Sequence, residues 1–434
     1  MQKTQHEIRD PVHVFVHVDD DERTIVDSPP VQRLRRIQQL AMTHLVYPGA
    51  CHTRFEHSLG VMELAGRVFD VITARENVHP DILELMPEIS QGGSLFYWRR
   101  AVRMAALCHD LGHLPFSHAT EELLPKGMSH ENLSAEIIGS PQMEELWGRM
   151  TPPLRSQDVA KLAVGQKYLP EERFSDWEAV LSEVITNDAL GVDRMDYLLR
   201  DSLHTGVPAG RVDHFRLIET IRILTRSGSS REPELGVERG GLHSAEALLL
   251  ARYFMFSQVY NHPVRLIYDI HLNDFLREYL PNGRYSVSLR KHSQTTDTEV
   301  MAWIVKAAGR EGARGHEVAR RLLGRRHFKV LWEDNPADLE MNLNAGEQVF
   351  QAARKRFGAR RVRRKGHAAP GAVIDFPVLL RDGKVESAQV ISKVLGPLPQ
   401  VAFDYVFISP DAKDEARRWL AENRATVIRP VKEE

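Results

Sequence analysis

From about residue 27 to residue 275 apolar residues recur at helical spacing in one segment after another, with no strand–helix–strand alternation between them. HSLGVMELAGRVFDVI, WRRAVRMAALCHDLGH, DRMDYLLRDSLH and SAEALLLARYFMFSQVYNHPVRLIYDIHLNDFL all carry the period. SPPVQRLRRIQQLAM opens the series with prolines suited to a helix entry. A parallel α/β fold requires the missing alternation, so a mainly α domain is expected over residues 1–285. Ahead of the helices, residues 11–26 alternate apolar and polar around an acidic centre. That pattern predicts a short hairpin, VHVFVHV then RTIV, joined by a DDDE turn.

Polarity rises after about residue 285, and residues 286–434 are expected to form a C-terminal helical and small α/β region. Residues 312–326 include a short basic helix. Asp382-Gly383 marks a hairpin turn within IDFPVLLRDGKVESAQVI, and FDYVFIS and DAKDEARRWLAENR read as a strand and a helix. Between them Arg354 to Lys365 (RKRFGARRVRRK) holds eight Lys/Arg and no acid. The run reads as a solvated loop, as a phosphate-binding edge or as a nucleic-acid contact. Phe357 is its one aromatic residue, which disfavours a stacking platform for single strands.

A chain of 434 residues with net charge −2 has no global field for nucleic acid or anionic membranes. No uncharged apolar run reaches the roughly 18 residues of a membrane span, and MQKTQHEIRDP lacks the apolar core of a signal peptide. A cytoplasmic protein without membrane contact is expected. Cys51 and Cys108 are the only cysteines, which excludes a disulfide framework; without CxxC spacing they read as packing residues. Histidine is more informative, with eight between His44 and His130.

Three stretches concentrate metal-ligating groups: RFEHSLGV with His57, LCHDLGHLPFSH with His109 and Asp110, and LGVDRMDYLLRD with Asp193, Tyr197 and Asp201 on one helical face. His109 and Asp110 are adjacent, so on a helix their side chains point about 100° apart. A metal lying between the two directions is within reach of both. A carboxyl group buried there is costly unless paired, and a cation removes that cost. Mixed imidazole and carboxylate donors suit Mn, Mg, Fe, Ni or Zn without distinguishing them.

The ordered set, YPGA-H-RFEHSLGV, then HDLGH-PFSH, then GVD-DY-RD, resembles the HD superfamily of metal-dependent phosphohydrolases. It is closest in pattern to the deoxynucleoside triphosphate triphosphohydrolases. The likeness runs from about residue 8 to residue 275, with a weaker echo at RRLLGRRHFKVL. It implies an HD-domain helical bundle and one divalent metal held by His57, His109, Asp110 and Asp193. It further implies hydrolysis of a dNTP at the α-phosphorus, giving the deoxynucleoside and inorganic triphosphate. His130 matches the histidine that protonates the departing 5′-oxygen, and His118 with Arg54 matches contacts to the α-phosphate. His113 falls beside the shell or the phosphates. Tyr197, Asp201 and Gln39 match contacts to the sugar, where a 2′-hydroxyl is excluded. Arg194 and Arg252 match phosphate-binding positions, and Tyr260 an aromatic that packs on the sugar or base. Homodimers or tetramers are the implied assembly.

The chain departs from the pattern in places. The usual DPxHG reads DPVHV, with Val14 at the glycine; Phe256 stands where vertebrate members have histidine. Asp27 and Arg35 match part of a regulatory nucleotide pocket, whereas His6 and Arg9 differ from its lining. The basic residues of a second such pocket are missing from Val237 to Ser244. Two other functions use the same residues. An HD nuclease or phosphodiesterase would place nucleic acid or another nucleotide at the metal, and a non-catalytic nucleotide sensor would be expected to have lost a ligand.

Overall fold

The computed structural model describes residues 5–226, 232–367, 374–396, 398 and 402–429. They form two compact units that interleave along the chain. The first comprises Met1–Met255, Ser286–Thr298 and Val373–Leu398; the second comprises Phe256–Tyr285, Glu299–Ala372 and Pro399–Glu434. The division expected at residue 285 is thus crossed in both directions. The protein is mainly α-helical, and no described helix is long and apolar enough to cross a membrane.

The N-terminal hairpin is present, one step earlier than expected. Gln5–Asp10 pairs antiparallel with Val14–Asp19, in a register running from Gln5↔Asp19 to Asp10↔Val14. DDDE is not its turn. Asp19 accepts from the Glu22 N–H while the Glu22 side chain accepts from the Asp19 N–H, so the acidic run caps a helix, Asp20–Val26, that absorbs RTIV. Three acids in that first turn also suit the positive end of the helix dipole. The chain reverses instead at residues 11–13, and Val14 takes φ +68°.

Val14 therefore takes a left-handed backbone that a glycine would adopt freely. A β-branched side chain in that region costs roughly 1–2 kcal/mol. Its side chain is 57% exposed, so truncation forfeits little packing. Val14→Gly is expected to stabilise the protein by about 1 kcal/mol, the relief being partly offset by the entropy of a glycine in the unfolded chain. Urea denaturation reads this directly, and a lower midpoint for the variant would contradict the strain.

The core of the first unit lies around helices Arg54–Thr73 and Gly92–Cys108, which pack against each other. Residues 57–66 and 100–108 are buried without interruption, as expected for helix segments enclosed on all sides. A sheet belongs to the same unit. Ile221–Thr225 pairs antiparallel with Pro233–Glu238, which pairs in parallel with Pro377–Leu379, itself paired antiparallel with Val385–Ser387. The Asp382-Gly383 hairpin forms as its sequence predicts, with Gly383 at φ +84°, but it extends this sheet instead of the C-terminal appendage.

The second unit is built on a three-stranded antiparallel sheet with Phe403–Ile408 between Lys329–Glu333 and Val362–His367. Helices Ala345–Phe357 and Lys413–Val427 bury Val349, Ala353, Ala416 and Leu420 with Trp332, Val406 and Ile408. Leu266 and Ile267 of helix Pro263–Tyr279 pack with Phe328 and Phe407. The basic run is not one loop. It ends the first of these helices and continues as the strand Val362–His367. Carboxylates hold four of its arginines: Arg356 meets Glu415 at 3.3 Å, Arg361 meets Asp411 at 3.1 Å, Arg363 meets Asp274 at 2.9 Å and Arg364 meets Asp404 at 2.8 Å.

Candidate metal centre

Thr53 and Glu56 form a capping box at the start of helix Arg54–Thr73, which sets His57 on the first turn. Helix Gly92–Cys108 stops one residue before His109, so the His109–Asp110 pair does not lie on a helix as the sequence suggested. Leu111 N–H donates to the Cys108 carbonyl at 3.2 Å and His113 N–H to the Asp110 carbonyl at 3.1 Å, winding HDLGH into consecutive tight turns. Gly112 permits this, because a Cβ there would strike the His130 carbonyl. Asp193, Tyr197 and Asp201 share helix Val192–Thr205, which Gly206 ends at φ +76°.

These elements bring one donor set together. The ligand atoms of His57, His109 and Asp110 lie within 4.8 Å of one another. Asp110 approaches His57 Nε2 at 3.6 Å and His109 Nε2 at 3.4 Å; Asp193 Oδ1 lies 3.0 Å and 3.5 Å from the same two nitrogens. The far side of each ring fixes its tautomer. His57 Nδ1 meets Asp196 Oδ2 at 2.8 Å and His109 Nδ1 meets the Ala106 carbonyl at 2.7 Å. Both partners only accept, so Nδ1 carries the proton in each ring and Nε2 presents its lone pair to the cluster.

The residues fit a divalent metal. Both Nε2 atoms are buried and face carboxylate oxygens of Asp110 and Asp193. Burial opposes a proton on His57, but the hydrogen bonds and charge of Asp193 and Asp196 outweigh it and raise the group to about 10. The site therefore attracts positive charge to that nitrogen, and a cation meets the demand of all four donors at once. Burial also opposes the Asp110 charge. Arg54, reinforced by His109 and His113, nevertheless holds its carboxyl well below the usual range.

A second histidine cluster adjoins the first. His113 is buried and neutral: burial lowers it most, followed by the nearby Arg54 charge. Its Nε2 lies 3.1 Å from Asp110 Oδ1, and its ring stacks on His130 at 3.8 Å. His130 Nδ1 donates to Glu121 at 2.6 Å, and His118 Nδ1 approaches the other Glu121 oxygen at 3.2 Å. His118 keeps 61% of its side chain exposed. Glu121 thus engages Nδ1 of both rings. Arg54 is buried, donating to Asp110 Oδ2 at 2.5 Å and to Ser117 Oγ at 2.7 Å.

The residues expected to contact sugar and phosphate have these surroundings. Gln39 is half-buried; its N–H donates to the His52 carbonyl, and its side-chain oxygen is buried without a hydrogen bond among the described residues. Asp201 is buried and accepts from His52 Nε2 at 2.7 Å. Arg194 Nε approaches the Tyr197 hydroxyl at 3.4 Å, and its Nη2 reaches Asp188 at 3.0 Å. Arg252 is half-buried on helix Leu242–Met255 of the first unit. Tyr260 belongs to the second unit, where it closes the turn Phe256–Tyr260 with its ring edge-on to Phe256.

Sequence reading missed Asp196, Glu121 and His13. Asp196 lies off the 193/197/201 stripe, on the face where Met195 and Leu198 enter the core, and is itself wholly buried. It accepts from His57, from His13 Nε2 at 2.6 Å and from Arg200, whose Nη1 also reaches Asp10 at 2.8 Å. Its i, i+4 spacing to Arg200 was the available signal.

Comparison with known proteins matches residues 54–201 to the HD domain and residues 212–359 to the HD associated region. The chain is similar to the uncharacterized protein YwfO of Bacillus subtilis, with 30% identity over 347 residues covering 76% of this chain and 72% of that one. It is also similar to the deoxynucleoside triphosphate triphosphohydrolase SAMHD1 of Gallus gallus, with 29% identity over 362 residues covering 75% of this chain and 56% of that one. Among solved structures, a hypothetical protein from Aquifex aeolicus superposes with a TM-score of 0.77 at 30% identity, across 96% of this chain and 100% of that one. The chain spans about half the length of the SAMHD1 relatives it matches.

Proposed function

The chain belongs to the HD-domain family of dNTPase-like phosphohydrolases, and from that premise we propose that it hydrolyses deoxynucleoside triphosphates to deoxynucleoside and inorganic triphosphate. The observation that carries this reading is the donor set, with two imidazoles and two carboxylates converging beside a histidine–glutamate pair. His57, His109, Asp110 and Asp193 would hold the metal. When bound, a divalent ion supplies Lewis acidity and lowers the pKa of water from about 15.7 towards 7.

The remaining work falls to the chain. Arg54 and Arg194 carry fixed positive charge to the phosphate side, where negative charge must be stabilised during transfer at phosphorus. His118 contacts the α-phosphate. His130 protonates the departing 5′-oxygen through Nε2, since Glu121 orients the ring by accepting from its Nδ1. Gln39 and Asp201 receive the 3′-hydroxyl, and Tyr197 lies under the ribose. The nucleic-acid alternative is less well supported, because ion pairs within its own unit already engage four arginines of the basic run. A sensor that had lost catalysis is disfavoured by the retention of every ligand.

The test is product analysis. Metal-stripped protein is incubated with Mn²⁺ and, separately, with each dNTP, each NTP and single-stranded DNA, and products are separated by anion exchange. Deoxynucleoside plus triphosphate from dNTPs, and only in the presence of metal, is the expected result. Nucleoside monophosphate with pyrophosphate, or degradation of DNA alone, would contradict it.

A further inference from the structure

Outside the matched HD domain, the segment 286–298 of the first unit returns against the active-site loop. Its Asp297 is buried and bridges two backbone stretches remote in sequence. Oδ2 accepts from Gln38 N–H at 2.9 Å, and Oδ1 accepts from Phe116 N–H at 2.7 Å. Gln38 precedes Gln39 and lies opposite Thr53, the cap of the helix that carries Arg54 and His57. Phe116 and Ser117 lead into His118 and are both held in the left-handed region, at φ +60° and +56°. Neither is glycine, so that conformation costs energy and persists only where the surroundings impose it. Ser117 then closes the loop, donating from Oγ to the Gln38 carbonyl at 2.8 Å while accepting from Arg54 Nε.

We infer that Asp297 is a positioning residue: its carboxylate clamps the strained Phe116–Ser117 turn to the Gln38 strand, fixing His118, Arg54 and Gln39 relative to one another. The clamp rests on the proposed function for its consequence, since these three are the groups assigned there to phosphate and sugar. It needs the ionised form, because a carboxylate accepts at both oxygens, whereas an acid spends one of them on its own proton.

Burial pushes the Asp297 carboxyl from 3.8 up to about 7, against the two backbone donors and the facing charges of Arg33 and Arg54. His292, one turn earlier, adds no charge, being held near 3 by burial and by Arg33. A group raised in this way binds its proton more tightly in the fold than in the unfolded chain. The stability it contributes is complete below 3.8 and is lost as pH rises through about 7. Above that pH the fold carries a buried carboxylate that stability alone would not retain, and the clamp is strongest there.

Asp297→Asn separates positioning from mere support, because it removes the charge and keeps the shape. At pH 8 the variant should melt no lower than wild type yet lose about tenfold or more in kcat/KM for dNTP hydrolysis. The wild-type to variant activity ratio should shrink towards pH 6. A ratio independent of pH, or a melting temperature that falls along with activity, would overturn the inference. Hydrogen exchange needs no substrate. Gln38 and Phe116 amides should gain protection between pH 6 and 8 in wild type and not in Asp297→Asn, and equal protection in both would overturn the clamp. Absence of dNTP hydrolysis by wild type would sink the proposed function and leave this exchange result to decide the clamp.

Discussion

Asp110→Asn should bind less than a tenth of a metal equivalent per chain and lose hydrolysis by about a thousandfold or more, the order expected when an activated water is forfeited. The reason is local. Asp110 lies at the meeting point of both Nε2 atoms, with Oδ2 3.6 Å from His57 and Oδ1 3.4 Å from His109, and His113 approaches Oδ1 as well. Asparagine keeps one oxygen but no charge. Stability should fall as well, by about 3 kcal/mol, because Arg54 remains buried without its carboxylate partner. That loss leaves the helical core assembled, so circular dichroism separates it from unfolding. Full turnover by a metal-free Asp110→Asn preparation would refute the assignment.

Asp196→Asn should act differently. Asp196 is not itself a proposed ligand; it receives the Nδ1–H of His57 and thereby holds that ring with Nε2 turned into the cluster. Outer partners of this kind change metal affinity by about 10–100-fold. The expected result is a metal dissociation constant weakened by that factor in chelator competition, with activity recovered at high metal concentration. Asp196 is also the hub for His13 and for two nitrogens of Arg200, all buried. Removing its charge leaves Arg200 with Asp10 alone, a loss of about 3–5 kcal/mol in urea denaturation. Gly60 belongs to the same arrangement, since a Cβ there would overlap the Asp196 carboxylate. Unchanged metal affinity in Asp196→Asn would show that the His57 ring is oriented by something else.

The two variants mark the difference between what the sequence displays and what it hides. His57, His109, Asp110 and Asp193 converge as the likeness of their ordered motifs to the HD pattern implied, and that likeness, more than any one residue, was the signal. Asp196 was hidden because a helical stripe drawn through Asp193, Tyr197 and Asp201 assigns its face to the core, and a core aspartate becomes intelligible only once Arg200, His13 and His57 are seen around it. The hairpin was legible as a hairpin but not in frame, since DDDE is equally a turn and a helix cap, and Glu22 decides between them. Asp297 carried no signal, because both of its partners are backbone N–H groups far away in sequence. The mainly helical fold was read from periodicity alone; the interleaving of the two units was not, because contacts between distant segments leave no period.

In the proposed reaction, water attacks the α-phosphorus of a deoxynucleoside triphosphate at the His57/His109/Asp110/Asp193 cluster. Hydrolysis in ¹⁸O-labelled water, read by mass spectrometry of both products, tests it most directly. One ¹⁸O in the released triphosphate and none in the deoxynucleoside, in metal-loaded protein and not in Asp110→Asn, is the predicted result. Label in a nucleoside monophosphate, or no metal-dependent incorporation with any dNTP, would contradict it.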